Sequence, residues 1–181
     1  LQEKVRVVGN PTRKSIQPVK HHPIGTPLKI LVFGGSLGAK QINDVIFDLI
    51  QDQTVENIEI HHQLGSDLKT PTPANSSVKY VPMTYIDFIQ KEYEWCDVII
   101  ARSGASTVSE LAIIKKPTLI FPFPQATDNH QYFNAQIFKE ESDFDVEVLD
   151  PKLPQNESTK RVKDFIRKAM RGELKLTQTP V

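Results

Sequence analysis

The chain has 181 residues, of which 39% are hydrophobic, and its 22 basic side chains are balanced by 22 acidic ones. This length favours one globular domain, and the zero net charge argues against a general nucleic-acid binder, whose surface is normally basic. The single cysteine, Cys96, excludes an internal disulfide and fits a reducing compartment, and no apolar run approaches the ~20 residues of a membrane span. Because the sequence starts at Leu1 rather than at methionine, we expect a fragment of a longer protein.

The first 27 residues predict an entry segment and linker rather than part of the main sheet. A short strand-like run at residues 5–8 is followed by Gly9, and residues 14–27 are rich in proline with little periodicity. His21 and His22 lack cysteine or acidic partners at ligand spacing, which favours solvated side chains over a metal site. We assign residues 1–27 to the linker, 28–171 to a ligand-binding domain and 172–181 to a flexible tail.

The rest of the chain alternates between strands and helices. The strands are predicted at residues 28–33, 58–63, 78–81, 97–100, 117–121 and 145–149, and the helices at 39–51, 86–95, from 103 onward, 129–141 and 158–170. We take Thr84 as the N-cap of the second helix. The alternation indicates an α/β fold, a Rossmann-like doubly wound parallel sheet. Such sheets bind ligands beyond the carboxyl ends of the strands, where the strand order reverses.

Glycines follow the first full strand, where the chain turns into a helix. The turn contains Gly34, Gly35, Ser36 and Gly38. Its spacing matches neither a P-loop nor the dinucleotide-binding G-x-G-x-x-G pattern. Alone it is a weak indication of a phosphate site, because glycine at such a turn is often needed only for geometry.

The turn after the strand at 97–100 is the stronger candidate. Ser103 is predicted as an N-cap, and Gly104 lets a ligand approach the backbone. The free N–H groups of the first helical turn suit a phosphate, and Glu110 lies about 10 Å further along the helix, within reach of an attached ribose. The alternative is an ordinary capped helix with a solvated glutamate. If the strand order is 3-2-1-4-5, the two turns are neighbours, and their helix N-termini converge on one diphosphate.

Five motifs occur in the order and spacing found in the MurG-type glycosyltransferases, which this chain resembles over most of its length. They are GNPTR at residues 9–13, VFGGSLGA at 32–39, EWCD at 94–97, RSGASTVSE at 102–110 and PFPQATDNHQYFNA at 122–135. The resemblance implies the carboxyl-terminal half of a GT-B glycosyltransferase. That family transfers N-acetylglucosamine from UDP-N-acetylglucosamine to undecaprenyl-linked muramoyl-pentapeptide, converting lipid I to lipid II in peptidoglycan synthesis.

The same resemblance assigns roles to individual residues, all of them in donor binding. Arg13 would approach the diphosphate, while Gly34, Gly35, Ser36 and Gly38 would line the phosphate and sugar side of the cleft. The backbone of Ile86 would pair with uracil in an apolar slot near Tyr85 and Ile89. The amides of Ser103, Gly104, Ala105, Ser106 and Thr107 would bind the phosphates, Glu110 would hold the ribose, and His130 and Gln131 would bind the sugar hydroxyls.

The resemblance also implies what this half lacks. The acceptor site, the catalytic base and the contact with lipid I belong to an amino-terminal domain, so no catalytic residue is assigned here and the fragment alone is expected to be inactive. The GT-B class needs no metal, and we expect no cofactor. The full-length protein is expected to be cytoplasmic and peripheral on the inner face of the cell membrane.

Other interpretations stay open at this stage. The chain fits the donor half of a related glycolipid glycosyltransferase, including an enzyme whose halves are separate chains, and a non-catalytic nucleotide-sugar-binding or epimerase-like module. The sequence Asp143-Phe144-Asp145 matches the D-x-D pattern of metal-using glycosyltransferases, but its position between a helix and a strand favours a turn. The basic last helix predicts a solvated face or a docking surface for the amino-terminal half.

Overall fold

A computed structural model of the chain describes residues 12–35, 39–66, 69–123 and 130–177. Six parallel strands form one sheet in the order β3-β2-β1-β4-β5-β6. The strands are β1 (Leu28–Phe33), β2 (Ile58–Gln63), β3 (Val78–Met83), β4 (Val98–Arg102), β5 (Thr118–Phe121) and β6 (Val146–Val148), and the helices are α1 (Lys40–Ile50), α2 (Ile89–Trp95), α3 (Ala105–Ile114), α4 (His130–Glu141) and α5 (Gln155–Met170). The predicted α/β class and strand order are therefore confirmed. The strand-like run at residues 5–8 lies outside the described residues.

Helices cover both faces of the sheet, as a doubly wound fold requires. Successive side chains of β1 point to opposite faces, so Ile30 and Val32 pack with α1 and α5, whereas Leu31 and Phe33 pack with α2, α3 and α4. The apolar stripe of α1 is buried against the first face. Two hydrophobic layers thus hold the central strands rigid, and the strand ends carry the turns that form the site.

Several element boundaries differ from the prediction for identifiable reasons. The second helix begins at Ile89 rather than Ile86, and Thr84 is not its cap, because residues 84–88 form a bend that buries Ile86. Strand β3 continues through Pro82, which is tolerated because β3 is an edge strand. The last helix starts at Gln155, three residues before the predicted position.

The two ends of the described chain pack on the domain. Ile16 and Val19 of the predicted linker are buried beside α2 and α3. Leu174 is buried in the layer of α5, and the backbones of Asp145 and Lys175 are joined by the hydrogen bond from Asp145 N–H to the Lys175 carbonyl. The described part of the tail is therefore packed and hydrogen-bonded on the domain, and the assignment of residues 172–181 to a flexible tail stays a prediction.

Candidate functional site

The two glycine-containing turns lie side by side at one edge of the sheet. Strands β1 and β4 are paired in parallel, with Phe33 opposite Ala101, so Gly34 and Ser103 follow neighbouring strands at their carboxyl ends. This edge is also the point where the strand order reverses, since β2 lies on one side of β1 and β4 on the other. The adjacency predicted for the two turns is confirmed.

The β1–α1 turn is closely packed. A Cβ atom added to Gly34 would lie 2.2 Å from the Cβ of Ala39, far inside van der Waals contact, and Gly35 has a φ of +98°, which L side chains rarely adopt. Helix α1 begins at Lys40 without a side-chain cap. Both described glycines are therefore needed for the conformation of the turn, whatever ligand it meets. Ser36 and Gly38 lie outside the described residues.

The β4–α3 turn is open, and its cap is not the predicted one. Gly104 occupies the N-cap position, with no side-chain capping bond to α3. Ser103 is buried, and its hydroxyl donates to the carbonyl of Gln131 at 2.7 Å, so the prediction that Ser103 caps the helix is wrong. No side chain from the cap therefore competes for the first-turn N–H groups of Ala105, Ser106 and Thr107. Their assignment to a phosphate stays a prediction.

A cavity of about 210 Å³ lies between these turns. Its walls come from the ends of β1 and β2, the turn after β1, the bend before α2 and the start of that helix, the first turns of α3, and the entry segment: Arg13, Phe33, Gly35, Gln63, Tyr85, Ile86, Ile89, Ser106, Thr107 and Glu110. Six of these are residues to which we assigned donor-binding roles. Phe33 and Gln63 were missed, although Phe33 ends β1 at the point of reversal and Gln63 ends the neighbouring strand β2, which is the signal that would have found them.

Glu110 is the most constrained group of the cavity. Its side chain is 5% exposed, and its carboxylate accepts hydrogen bonds from Arg13 Nε at 2.9 Å, from Arg13 Nη2 at 3.1 Å and from the Tyr93 hydroxyl at 3.0 Å. The hydrogen bond to Glu110 raises the pKa of Arg13. The alternative of a solvated glutamate is therefore wrong. Arg13, predicted at the diphosphate, pairs with this carboxylate in the described structure, and its approach to a diphosphate stays a prediction.

The loop after β5 is tied to the end of β4. Besides accepting the Ser103 hydroxyl, Gln131 accepts the backbone N–H of Phe123 on its side-chain oxygen at 3.1 Å. The buried guanidinium of Arg102 donates to the carbonyl of Pro122 at 3.1 Å and lies 5.2 Å from the centre of the Phe123 ring. His130 is exposed at the start of α4 and does not line the cavity. The sugar contacts assigned to His130 and Gln131 stay a prediction.

The described residues contain no group of three or more histidine, cysteine, aspartate or glutamate side chains arranged to hold a metal ion. The D-x-D pair anchors the tail instead: Asp143 accepts the Thr177 hydroxyl at 2.7 Å and Asp145 accepts the Lys175 N–H at 2.8 Å. The interpretation of this sequence as a turn is confirmed. Among the helices of the described ranges, none combines the length and apolar character that a membrane crossing requires.

Comparisons with known proteins agree with this geometry. Residues 29–179 match the model of the glycosyltransferase family 28 C-terminal domain. The UDP-N-acetylglucosamine–N-acetylmuramyl-(pentapeptide) pyrophosphoryl-undecaprenol N-acetylglucosamine transferase of Francisella philomiragia is 42% identical over 146 residues, and that of Chromohalobacter salexigens is 37% identical over 143 residues. Each alignment covers 74% of this chain and 39% of the relative.

One solved structure has a similar fold. The crystal structure of Acinetobacter baumannii MurG superposes with a TM-score of 0.63 at 25% identity, over 80% of this chain and 45% of that one. This chain therefore spans about two fifths of the length of the curated relatives that it matches. The family model, in contrast, covers most of the chain described here. The chain belongs to glycosyltransferase family 28, of which it carries the carboxyl-terminal domain.

Proposed function

We propose that this chain is the donor-binding domain of a glycosyltransferase that moves N-acetylglucosamine from UDP-N-acetylglucosamine to undecaprenyl-linked muramoyl-pentapeptide. The observation that carries the proposal is a cavity flanked by two adjacent strand–turn–helix units, with the Glu110 carboxylate in its wall. The proposal is also supported by the names of the transferases from Francisella and Chromohalobacter.

In this proposal the cavity and its rim bind the donor along its length. The open first turn of α3 presents the amides of Ala105, Ser106 and Thr107 to the diphosphate, with the positive end of the helix dipole behind them. Glu110 accepts hydrogen bonds from the ribose hydroxyls. Uracil stacks in the apolar slot of Ile86 and Ile89, and the sugar extends toward His130 and Gln131.

The chemistry of transfer explains why such a turn is useful. When the glycosidic bond breaks, negative charge grows on the β-phosphate of the departing UDP. Backbone N–H groups held in place before the reaction stabilise that charge, and removal of one such donor typically raises the barrier by about 3 kcal/mol. The chain supplies this stabilisation, whereas the acceptor and the base that activates it are provided by an amino-terminal domain.

The partners follow from this division. The proposal includes UDP-N-acetylglucosamine as ligand, an amino-terminal domain that completes the cleft, and lipid I bound through that domain, with no nucleic acid. It places the full-length protein on the cytoplasmic face of the cell membrane as a peripheral enzyme.

Calorimetric titration of UDP-N-acetylglucosamine into the chain tests the proposal. We expect saturable binding that Glu110→Ala weakens by at least ten-fold, because a desolvated carboxylate contributes strong hydrogen bonds to the ribose. The matched control is Glu147→Ala, which removes a carboxylate paired with Lys168 on the edge strand β6. Absence of binding by the folded wild-type chain contradicts the proposal.

A second assay separates the transferase from the epimerase-like alternative. An epimerase releases free UDP from the donor with no lipid acceptor present, whereas a donor-binding half releases none until its acceptor half and lipid are added. Release of UDP by the chain alone would favour the epimerase.

A further inference from the structure

Tyr93 lies behind the wall of the cavity, where its hydroxyl contacts Glu110. It lies on α2 with no exposed surface, and its ring packs edge-on against Phe33, with 6.2 Å between the ring centres. Its hydroxyl donates to Glu110 Oε2 at 3.0 Å. Burial, and next to it the Glu110 carboxylate, raise the pKa of Tyr93 well above its usual value, so the phenol stays a donor at every physiological pH.

Two side chains of very different exposure hold the carboxylate of Glu110. The Arg13 side chain is 57% exposed, whereas Tyr93 is fully enclosed by the core. An ionised carboxylate offers about four acceptor positions, and Arg13 and Tyr93 together occupy most of them. Two ribose hydroxyls therefore find room only where Arg13 withdraws, and the exposed Arg13 side chain is the one that can move.

We propose that Tyr93 is a positioning residue whose hydroxyl fixes the Glu110 carboxylate, so that the site selects ribose over deoxyribose while Arg13 is exchanged for the ligand. This inference rests on the proposed function, because it takes the occupant to be a uridine nucleotide. The Tyr93 ring never touches the ribose. Its hydroxyl sets the direction in which the free lone pairs of Glu110 point. This direction decides how well Glu110 accepts hydrogen bonds from the 2′- and 3′-hydroxyls.

The test compares the affinities for UDP and 2′-deoxy-UDP in the wild-type chain and in Tyr93→Phe, which keeps the ring and removes only the hydroxyl. Wild type should prefer UDP by roughly ten-fold, the usual effect of one hydrogen bond to a charged group. In Tyr93→Phe this preference should shrink about five-fold, through weaker UDP binding with little change for 2′-deoxy-UDP.

Tyr80→Phe is the matched control. The Tyr80 hydroxyl also makes one partly buried hydrogen bond, to His62 Nδ1 at 2.9 Å, but Tyr80 does not line the cavity. This control should lose stability yet keep the wild-type preference for UDP. UDP binding with an unchanged preference in Tyr93→Phe overturns the inference alone. No UDP binding by the folded wild-type chain overturns the proposed function and the inference with it.

A measurement on the wild-type chain covers the case in which Tyr93→Phe does not fold. The hydroxyl proton of Tyr93, followed by NMR, should stay protected from solvent exchange both without nucleotide and at saturation with UDP. Over the same titration the guanidinium signals of Arg13 should change. Loss of the protected Tyr93 proton at saturation overturns the inference, since the Tyr93 hydroxyl would then have left Glu110.

Discussion

The two turns that meet at the cavity contain similar glycines for opposite reasons. At the β1–α1 turn, the chain itself fills the space in which a Gly34 side chain would lie, because Ala39 is 2.2 Å away. At the β4–α3 turn, an added Cβ on Gly104 would meet, among the described residues, only the Thr107 hydroxyl at 3.9 Å, and its φ of −59° suits any residue. Folding therefore explains the first glycine, whereas the described packing does not require the second, for which we propose a role in ligand binding.

The surroundings of the turns sharpen this contrast. The open turn is supported from behind, since Ser103 and Arg102 bond to Gln131 and to the loop after β5 rather than to the helix that they precede. An anion site needs backbone N–H donors that are rigidly supported on one side and uncovered on the other, because the donors must be in position before the ligand arrives.

The largest effect is expected from Gly34→Ala. The new methyl group collides with Ala39, and overpacking of this kind should lower the free energy of unfolding by about 3 kcal/mol. Urea denaturation measures the change. The control Gly25→Ala meets nothing within 4 Å and should change the free energy by less than about 0.5 kcal/mol. Equal stability of the two variants would show that the β1–α1 turn is not filled.

Gly104→Ala should lower the affinity for UDP and leave the stability nearly unchanged, the reverse of Gly34→Ala. Its stability should stay within about 0.5 kcal/mol of wild type, because the added Cβ has room. Its affinity for UDP should fall about ten-fold, since the methyl group stands where the diphosphate approaches the backbone. Parallel denaturation and calorimetry give both quantities. A variant that loses stability but keeps its affinity would contradict the functional explanation of this glycine.

Acid should lower the free energy of unfolding through His62, which packs on the α1 side of the sheet. This side chain is fully buried under α1 beside Phe47, and burial lowers its pKa to about 3. The unfolded chain binds a proton below about pH 6.5 while the folded chain does not, so the stability present above pH 6.5 is lost as the pH falls toward 3. The slope contributed by His62 should approach about 1 kcal/mol per pH unit.

Urea denaturation between pH 7 and pH 5 measures this slope before most carboxylates titrate. His62→Gln removes the titrating group and should flatten the curve. Identical slopes for wild type and His62→Gln would contradict the assignment.

The smallest effect concerns the support of the open turn. Ser103→Ala should lower the free energy of unfolding by about 1 kcal/mol, the value of one hydrogen bond. Hydrogen exchange should speed up at the start of α4, where Gln131 loses its donor, and not in the first turn of α3. Faster exchange confined to Ala105–Thr107 would instead restore Ser103 as a helix cap.

Sequence reasoning predicted the sheet because β1 and β4 are apolar runs bounded by turn residues, a strictly local pattern. It also predicted the meeting of the two turns, because the topology of a doubly wound sheet leaves few arrangements. It failed for Ser103, which has the composition of a cap but bonds to a residue 28 positions away.

The Glu110 network was missed for the same reason. Arg13 and Glu110 are separated by 97 positions and Tyr93 and Glu110 by 17, so no spacing rule joins them. Thr84 misled for a different reason: its bend serves the burial of Ile86, and that tertiary contact outweighs the preference of threonine for a helix start.

The most direct test of the account is a backbone-amide NMR titration of the chain with UDP. If one diphosphate is shared by the two adjacent turns, the resonances of Gly34, Gly35 and Ala105–Thr107 should shift together and saturate at one nucleotide per chain. Shifts confined to the groove between α1 and α5, or none at all, would contradict a nucleotide site at this edge of the sheet.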